Sequence, residues 1–191
     1  MSAQNRYFEL MDDFHIPGRW YVKGPLDDQG RELIPYQFRR GEILRWDAPL
    51  FLPVRHQGLA LDFTQTGLGF IVVSSRFVSI CERLGIQNEV QFVPARVEGH
   101  SEPYFVLNPL RIVKCVDEAR SEEFSVYEPG YDDPEKVGHY RMLFGLKIDP
   151  EKVGDASIFH PWGWTVVLIV SERVKQAIEE EGLIRPQFTE V

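Results

Sequence analysis

The residue types that most often carry acid–base or metal chemistry stand far apart in this sequence. Its five histidines are isolated, and none has a second ligand at the i+2, i+3 or i+4 spacing that zinc and iron sites use. The one pair suited to proton transfer is His56 with Asp62, because alternation in the ALDFT segment places Asp62 on a strand face. GxSxG, GxGxxG, P-loop and CxxC motifs are absent. The sequence therefore predicts no catalytic centre, cofactor site or metal site.

Acidic residues are concentrated between residues 117 and 136. The chain has a net charge of −8, and this segment carries eight acids against two basic residues. Pro129, Gly130 and Pro134 predict an exposed loop in its middle. Clustered negative charge repels nucleic acid and accelerates association with a basic protein. The partner-binding residues predicted here are Asp117, Glu118, Glu122, Glu123, Tyr127, Glu128, Tyr131, Asp132 and Asp133. A solvated loop without a partner is the alternative.

Two tryptophans, Trp162 and Trp164, flank Gly163 in the HPWGWTVV segment. Residues two apart on a strand point to the same face, so the two indoles are predicted to be buried together or exposed together. Burial in the core is the default interpretation. If they are exposed, both belong with the predicted partner-binding residues as rigid aromatic anchors.

The elements that would position these residues include a strand–helix–strand unit that occurs twice, at residues 69–93 and 166–189. In each copy an apolar run ends in a serine, Ser74 or Ser171, that is predicted to cap a helix. A glycine, Gly85 or Gly182, is predicted to close that helix. Apolar residues at helical spacing give each helix one buried face. The repeat predicts two similar units that pack as lobes.

The remaining pattern predicts an α+β fold of mostly antiparallel sheet with few helices. Short strands are predicted at residues 6–10, 20–23, 90–97, 104–107, 112–116 and 143–148. With 191 residues and 43% hydrophobic content, the chain can bury a substantial core. We expect a single domain over residues 1–191. The two lobes would cover about residues 1–100 and 101–191.

The N-terminal residues lack a basic stretch followed by an apolar one, and the longest apolar run is too short to span a bilayer. A cytoplasmic protein that binds no membrane is therefore expected. The only cysteines, Cys81 and Cys115, are predicted on a buried helix face and in a strand. Free buried thiols are expected rather than a disulfide framework.

Long stretches of the chain are similar to one family of bacterial proteins. The matching pieces are RYFEL, IPGRWYVKGP, LDFT, VVSSRFVSICERLG with QFVPARV, PYFVLNPLRIVKCVDEARSE and IFHPWGWTVVLIVSERVKQAIEEEGLIRPQF. They cover nearly the whole chain, and CVDEARS and VSERVKQAIE are the more specific motifs. In these pieces the sequence resembles the eleventh family of polymorphic-toxin immunity proteins. The Trp-Gly-Trp insertion departs from the family pattern.

The resemblance implies a protein without catalysis that is made beside a toxin and binds it to protect the producing cell. Such toxins are often nucleases with basic active sites, delivered by contact-dependent or type VI secretion, which agrees with the acidic segment. The expected partner is a cognate protein toxin encoded nearby, rather than nucleic acid. Two alternatives remain: a small hydrolase-like enzyme that uses His56 and Asp62, and a peptide-binding regulatory module that uses an open sheet edge.

Overall fold

The computed structural model describes residues 5–130, 133–184 and 186–191. This part of the chain forms two five-stranded sheets, two two-stranded ribbons and two α-helices. In chain order, the elements are β1 (Tyr7–Met11), β2 (Tyr21–Val22), β3 (Leu50–Leu52), β4 (Val54–His56), β5 (Phe63–Gln65), β6 (Ile71–Ser74), α1 (Ser75–Arg83), β7 (Val90–Val97), β8 (Tyr104–Pro109), β9 (Ile112–Val113), β10 (Glu123–Val126), β11 (Tyr140–Phe144), β12 (Ile158–Pro161), β13 (Leu168–Ser171), α2 (Glu172–Glu181) and β14 (Gln187–Glu190).

The two large sheets contain most of the strands. Their strand orders are β3-β7-β8-β6-β5 and β14-β1-β13-β12-β9. Most neighbouring strands are antiparallel, whereas β3 pairs in parallel with β7, and β9 pairs in parallel with β12. The predicted α+β class with mostly antiparallel sheet is confirmed. The longer of the two described α-helices has 10 residues, and about 20 are needed to cross a bilayer, so neither helix can span a membrane.

The strand–helix–strand unit is present in both large sheets. The first copy is β6, α1 and β7, and the second is β13, α2 and β14. In each copy one antiparallel strand lies between the two strands, β8 in the first and β1 in the second. The largest core cluster contains residues of both copies, among them Phe77 on α1 and Val174 on α2. The division of the chain into two lobes stays a prediction.

The helix starts differ from the prediction. Ser74 and Ser171 occupy the N-cap positions with extended backbone, but neither hydroxyl bonds to a helix N–H. Ser74 Oγ instead donates to Asp62 Oδ1 at 2.6 Å, because a buried carboxylate is a stronger acceptor for that hydroxyl. The predicted serine caps are therefore wrong. The predicted helix ends are confirmed, since Gly85 and Gly182 have positive φ angles of 71° and 65°.

Two strand predictions need correction. The strand predicted at residues 112–116 ends at Val113, and the one predicted at 143–148 is β11, which begins at Tyr140 and ends at Phe144. The acidic segment also contains β10, which was not predicted and which ends before the breakers Pro129, Gly130 and Pro134. These strands are short, and β10 and β11 stabilise each other by pairing, so each alone carries too brief an alternation to indicate its bounds.

Cys81 and Cys115 are free and buried, as the sequence predicted. Cys81 lies on the buried face of α1, whereas Cys115 follows β9 and is not in a strand. Burial raises the pKa of both thiols to about 12. Both therefore stay protonated at neutral pH, and protonated thiols are poor nucleophiles.

Candidate partner-binding surface

The acidic segment begins with a turn that uses one of its carboxylates internally. Asp117 Oδ1 accepts hydrogen bonds from the backbone N–H groups of Ala119, at 3.1 Å, and Arg120, at 3.2 Å. Asp117 Oδ2 pairs with the Arg120 guanidinium, which also donates to the carbonyl of Ile148. The hydrogen bond from Arg120 holds the pKa of Asp117 below its usual range. Asp117 therefore organises the turn, and Arg120 compensates its charge.

The segment continues in an antiparallel ribbon formed by β10 and β11. Directly opposed residues of two strands share a face, and Phe124 opposes Leu143 while Glu123 opposes Phe144. On this face Leu143 is buried in a core cluster, whereas Phe124 is 38% exposed. The other face is turned to solvent, and the Phe144 side chain on it is 55% exposed. An exposed aromatic ring thus lies beside an exposed carboxylate.

Tyr140 connects the acidic segment, through Glu118, with the Trp-Gly-Trp segment, through Gly163. Its hydroxyl donates to Glu118 Oε1 at 2.8 Å, and its backbone N–H donates to the carbonyl of Gly163 at 3.0 Å. Partial burial and the bond to Glu118 raise the pKa of Tyr140, so its hydroxyl stays a donor at neutral pH. The structure therefore brings the Trp-Gly-Trp segment next to the acidic segment.

The two tryptophans lie in the turn between β12 and β13, so the prediction that they share a strand face is wrong. Gly163 between them has a φ angle of 80°, and a Cβ there would lie 3.3 Å from the Tyr140 ring. A glycine is required for both the turn and this close approach.

The two indoles have different surroundings. The Trp162 ring packs edge-on against His139, with centroids 4.8 Å apart, and Lys114 Nζ lies 4.8 Å from the Trp162 centroid. Trp164 packs against the core cluster that contains Leu143. Trp162 therefore borders the ribbon, and Trp164 contributes to core packing.

The acidic segment ends in a short 3-10 turn at Pro134–Lys136. Asp133 caps this turn by accepting a hydrogen bond from the backbone N–H of Glu135 at 3.1 Å. Its carboxylate also lies 3.3 Å from Lys136 Nζ. Asp133 therefore resembles Asp117, because both carboxylates have local structural partners.

The aromatic residues of the segment are only partly described. The Tyr127 ring lies beneath two cations, with Lys136 Nζ at 6.0 Å and the Arg141 guanidinium at 5.9 Å from the ring centroid. Tyr131 and Asp132 lie outside the described residues. The predicted role of Tyr127 as an anchor stays a prediction.

Four of the predicted acids that the structure describes keep an uncompensated charge, and one of them, Glu118, accepts a hydrogen bond from the neutral Tyr140 hydroxyl. The other three, Glu122, Glu123 and Glu128, are exposed, and none of them forms a salt bridge with another residue of the described ranges. The Glu122 side chain lies across Gly145, where a Cβ would come within 2.3 Å of Glu122 Cγ. We call Glu122, Glu123, Glu128 and Phe144 the acidic ribbon surface.

His56 and Asp62 have separate partners. The Asp62 carboxylate is buried and accepts three hydrogen bonds, from Ser74 Oγ (2.6 Å), Arg76 Nη1 (2.8 Å) and the backbone N–H of Ile184 (3.0 Å). The exposed His56 ring packs edge-on against Tyr21 with centroids 5.9 Å apart. The structure does not bring the pair together. Within the described ranges, no group of three or more His, Cys, Asp or Glu residues could hold a metal ion.

Sequence reasoning missed the contribution of β11 to this surface. Phe144 and Tyr140 lie outside the acidic segment in sequence, and only the pairing of β11 with β10 places them beside it. The available signal was the YRMLF run followed by Gly145, which suggests a short strand and its end. No sequence rule pairs this run with Glu123–Val126.

The comparisons with known proteins identify a family. The model of the immunity protein family Imm11 matches residues 3–191, which is nearly the whole chain. The search of curated proteins gives no match.

Proposed function

Because the chain belongs to the immunity protein family Imm11, we propose that it neutralises a cognate toxin by binding it, without a reaction of its own. The toxin is a basic, nuclease-like effector that is encoded nearby and delivered by a secretion system such as type VI. The complex forms in the cytoplasm of the producing cell.

The observation that carries this proposal is the acidic ribbon surface. Its three carboxylates lack salt-bridge partners in the described part of the chain, so a cationic partner would compensate them. Phe144 supplies an exposed apolar group directly opposite Glu123. Interfaces commonly combine such an aromatic centre with charged residues that accelerate encounter.

The contacts of Asp62 support a role without catalysis. A general base must be free to accept a proton from the reacting group. The Asp62 carboxylate already accepts three hydrogen bonds from this chain. Its contacts are those of a structural residue, and His56 is engaged with Tyr21 instead.

The test compares two variants of equal net charge in binding to the toxin encoded next to this gene. One carries Glu122→Lys, Glu123→Lys and Glu128→Lys. The control carries Asp28→Lys, Glu102→Lys and Glu180→Lys, which replace exposed acids elsewhere. We expect the ribbon variant to associate about tenfold or more slowly at low salt, with a smaller difference at high salt because exposed charges are screened. Stopped-flow or surface-binding kinetics at two salt concentrations measure both effects.

Equal association rates for the two folded variants would mean that the toxin binds elsewhere. Loss of cell protection in the ribbon variant, with protection retained in the control and in His56→Ala, would support binding over catalysis. Protection lost in folded His56→Ala while toxin binding is intact would contradict a non-catalytic role.

A second arm tests the aromatic centre. Phe144→Ala should accelerate dissociation by about tenfold or more, with little dependence on salt, since a buried aromatic anchor contributes chiefly to the lifetime of a complex. Ile34→Ala is the matched control, because Ile34 is another exposed apolar residue. Equal dissociation rates for both variants would exclude Phe144 from the interface.

A further inference from the structure

A concave feature of the molecule lies beside the ribbon of β2 and β4. It is a cavity of about 430 Å³, and no residue of the acidic ribbon surface lines it. Cavities of roughly 300–1,000 Å³ are the usual size for small-molecule sites. Its apolar wall includes Leu26, Leu33 and Leu68, of which Leu68 is 55% exposed.

Basic residues outnumber acidic residues around this cavity, which is the reverse of the chain as a whole. Lys23 and Arg55 line it together with a single acid, Glu32. All three side chains are exposed, and none has a salt bridge among the residues with described positions. The cavity therefore combines an apolar wall with a net positive charge, although the chain as a whole carries −8.

The local strand pairing explains why the two cations line one cavity. The backbone N–H of Lys23 donates to the carbonyl of Pro53 at 2.8 Å, directly after β2 pairs with β4. The register shifts between Tyr21 and Val22, where the partner strand has the additional residue Arg55. Both cations thus lie on one antiparallel ribbon, Lys23 directly after β2 and Arg55 at the irregularity in β4.

The opposite wall depends on a glycine. A Cβ at Gly24 would lie 2.9 Å from Leu68 Cδ1 and 3.3 Å from a Phe70 ring carbon. The absence of a side chain at Gly24 allows the Leu68 loop to approach the ribbon and enclose the cavity. At its rim, the Tyr21 ring is held between His56 and the Arg19 guanidinium, which lies 5.3 Å from the ring centroid.

We propose that this cavity binds a small carboxylate with an apolar body. The carboxylate lies between Lys23 and Arg55, and the apolar body packs against Leu26, Leu33 and Leu68. A neutral ligand would leave both cations without a partner, and an amine would face their repulsion. This site is independent of the toxin-binding surface.

The probe series is 4-phenylbutyrate, 4-phenylbutanol and 4-phenylbutylamine, which share one apolar body and differ in charge. Titration calorimetry with the full chain should show saturable binding of the carboxylate. The alcohol should bind about tenfold more weakly and the amine more weakly still. Equal affinity for the three probes, or no saturable binding of 4-phenylbutyrate at millimolar concentrations, overturns the proposal.

Charge variants test the assignment of residues. Lys23→Gln and Arg55→Gln should each weaken 4-phenylbutyrate binding by about three- to fivefold, the range expected for exposed charges. Glu32→Gln should strengthen it by about twofold. Arg96→Gln, which removes an exposed cation outside the cavity, should leave the affinity unchanged.

The cavity-filling variant Leu33→Trp should abolish binding in a protein whose melting temperature shows that it is folded. If Leu33→Trp unfolds the protein, the affinities of the Lys23, Arg55 and Glu32 variants for 4-phenylbutyrate test the proposal instead. Affinities that do not respond to Lys23, Arg55 and Glu32 substitutions would place the ligand elsewhere.

Discussion

At the scale of single residues, two buried acids connect segments that are distant in sequence. The Asp62 carboxylate binds Ser74 and Arg76 of the first strand–helix–strand copy and the backbone of Ile184, which follows α2. Glu89 accepts hydrogen bonds from the backbone N–H groups of Ser157, at 2.7 Å, and Ile158, at 3.2 Å. Because buried carboxylates need such donors, these contacts stabilise the fold.

One buried histidine makes stability depend on pH. His160 is buried on β12, and its Nδ1–H donates to the carbonyl of Val167 at 2.5 Å. Burial is the main cause that lowers the pKa of His160 from 6.5 to about 4; the hydrogen bond to Val167 opposes the shift, and the charge of Arg39 adds to it. Between these values the unfolded chain binds a proton that the folded chain does not, so stability falls as the pH falls.

We therefore expect the contribution of His160 to the free energy of unfolding to decrease by about 2 kcal/mol when the pH falls from about 7.5 to about 5. Urea denaturation of the wild type and of His160→Asn at several pH values measures it. The variant should have a flatter pH dependence in this window, whatever its absolute stability. Parallel curves for the two proteins would show that His160 titrates normally.

At the scale of elements, the two helix N-termini provide a matched pair of substitutions. Ser74→Ala removes the hydrogen bond to the buried Asp62 carboxylate and should cost about 1–2 kcal/mol of stability. Ser171 Oγ is buried with no hydrogen-bond partner in the described structure, so Ser171→Ala should be neutral or stabilising by up to about 1 kcal/mol. Chemical denaturation of both variants measures the difference.

If both substitutions destabilise the protein equally, the two hydroxyls cap their helices in solution, as the sequence alone suggested. If Ser74→Ala has no effect, the bond to Asp62 contributes nothing to stability. The contrast between the copies is the informative result, because their sequences align without a gap at these serines.

Local patterns predicted elements well where a strand or helix is long or punctuated by glycine. The strand at Val90–Val97 was predicted with its observed bounds, and Gly85 and Gly182 mark the ends of both helices. The β10–β11 ribbon was not predicted as a pair, because each strand is short. Its register depends on a tertiary pairing across the intervening turn.

At the scale of the whole molecule, the shared core makes a prediction about cooperativity. The largest core cluster includes residues of both helices, and Arg83 on α1 forms a salt bridge with Glu181 on α2 at 3.0 Å. We expect a single unfolding transition in which the calorimetric and van't Hoff enthalpies agree. Differential scanning calorimetry measures both enthalpies.

Two separable transitions would instead support independent lobes near residues 1–100 and 101–191. Limited proteolysis offers a control, since independent lobes would release a protected fragment of one half. A cooperative molecule should give no such fragment before global unfolding.

The sequence by itself determined the α+β class, the duplicated strand–helix–strand unit, the helix ends and the buried thiols. Each of these follows from local periodicity, from glycine conformation or from composition, which are properties of neighbouring residues. The sequence also located the acidic segment and the Trp-Gly-Trp segment as separate features. The local turns of the structure decided which acids keep an uncompensated charge, because Asp117 and Asp133 each pair with a basic residue three positions later, Arg120 and Lys136.

Only the tertiary structure decided that Tyr140 joins the two segments and that Phe144 lies beside Glu123. It also separated His56 from Asp62 by giving the carboxylate three other donors. These outcomes depend on contacts between residues far apart in the chain. A hydroxyl or carboxylate binds the donor or acceptor that the fold brings nearest, and sequence spacing does not specify that partner.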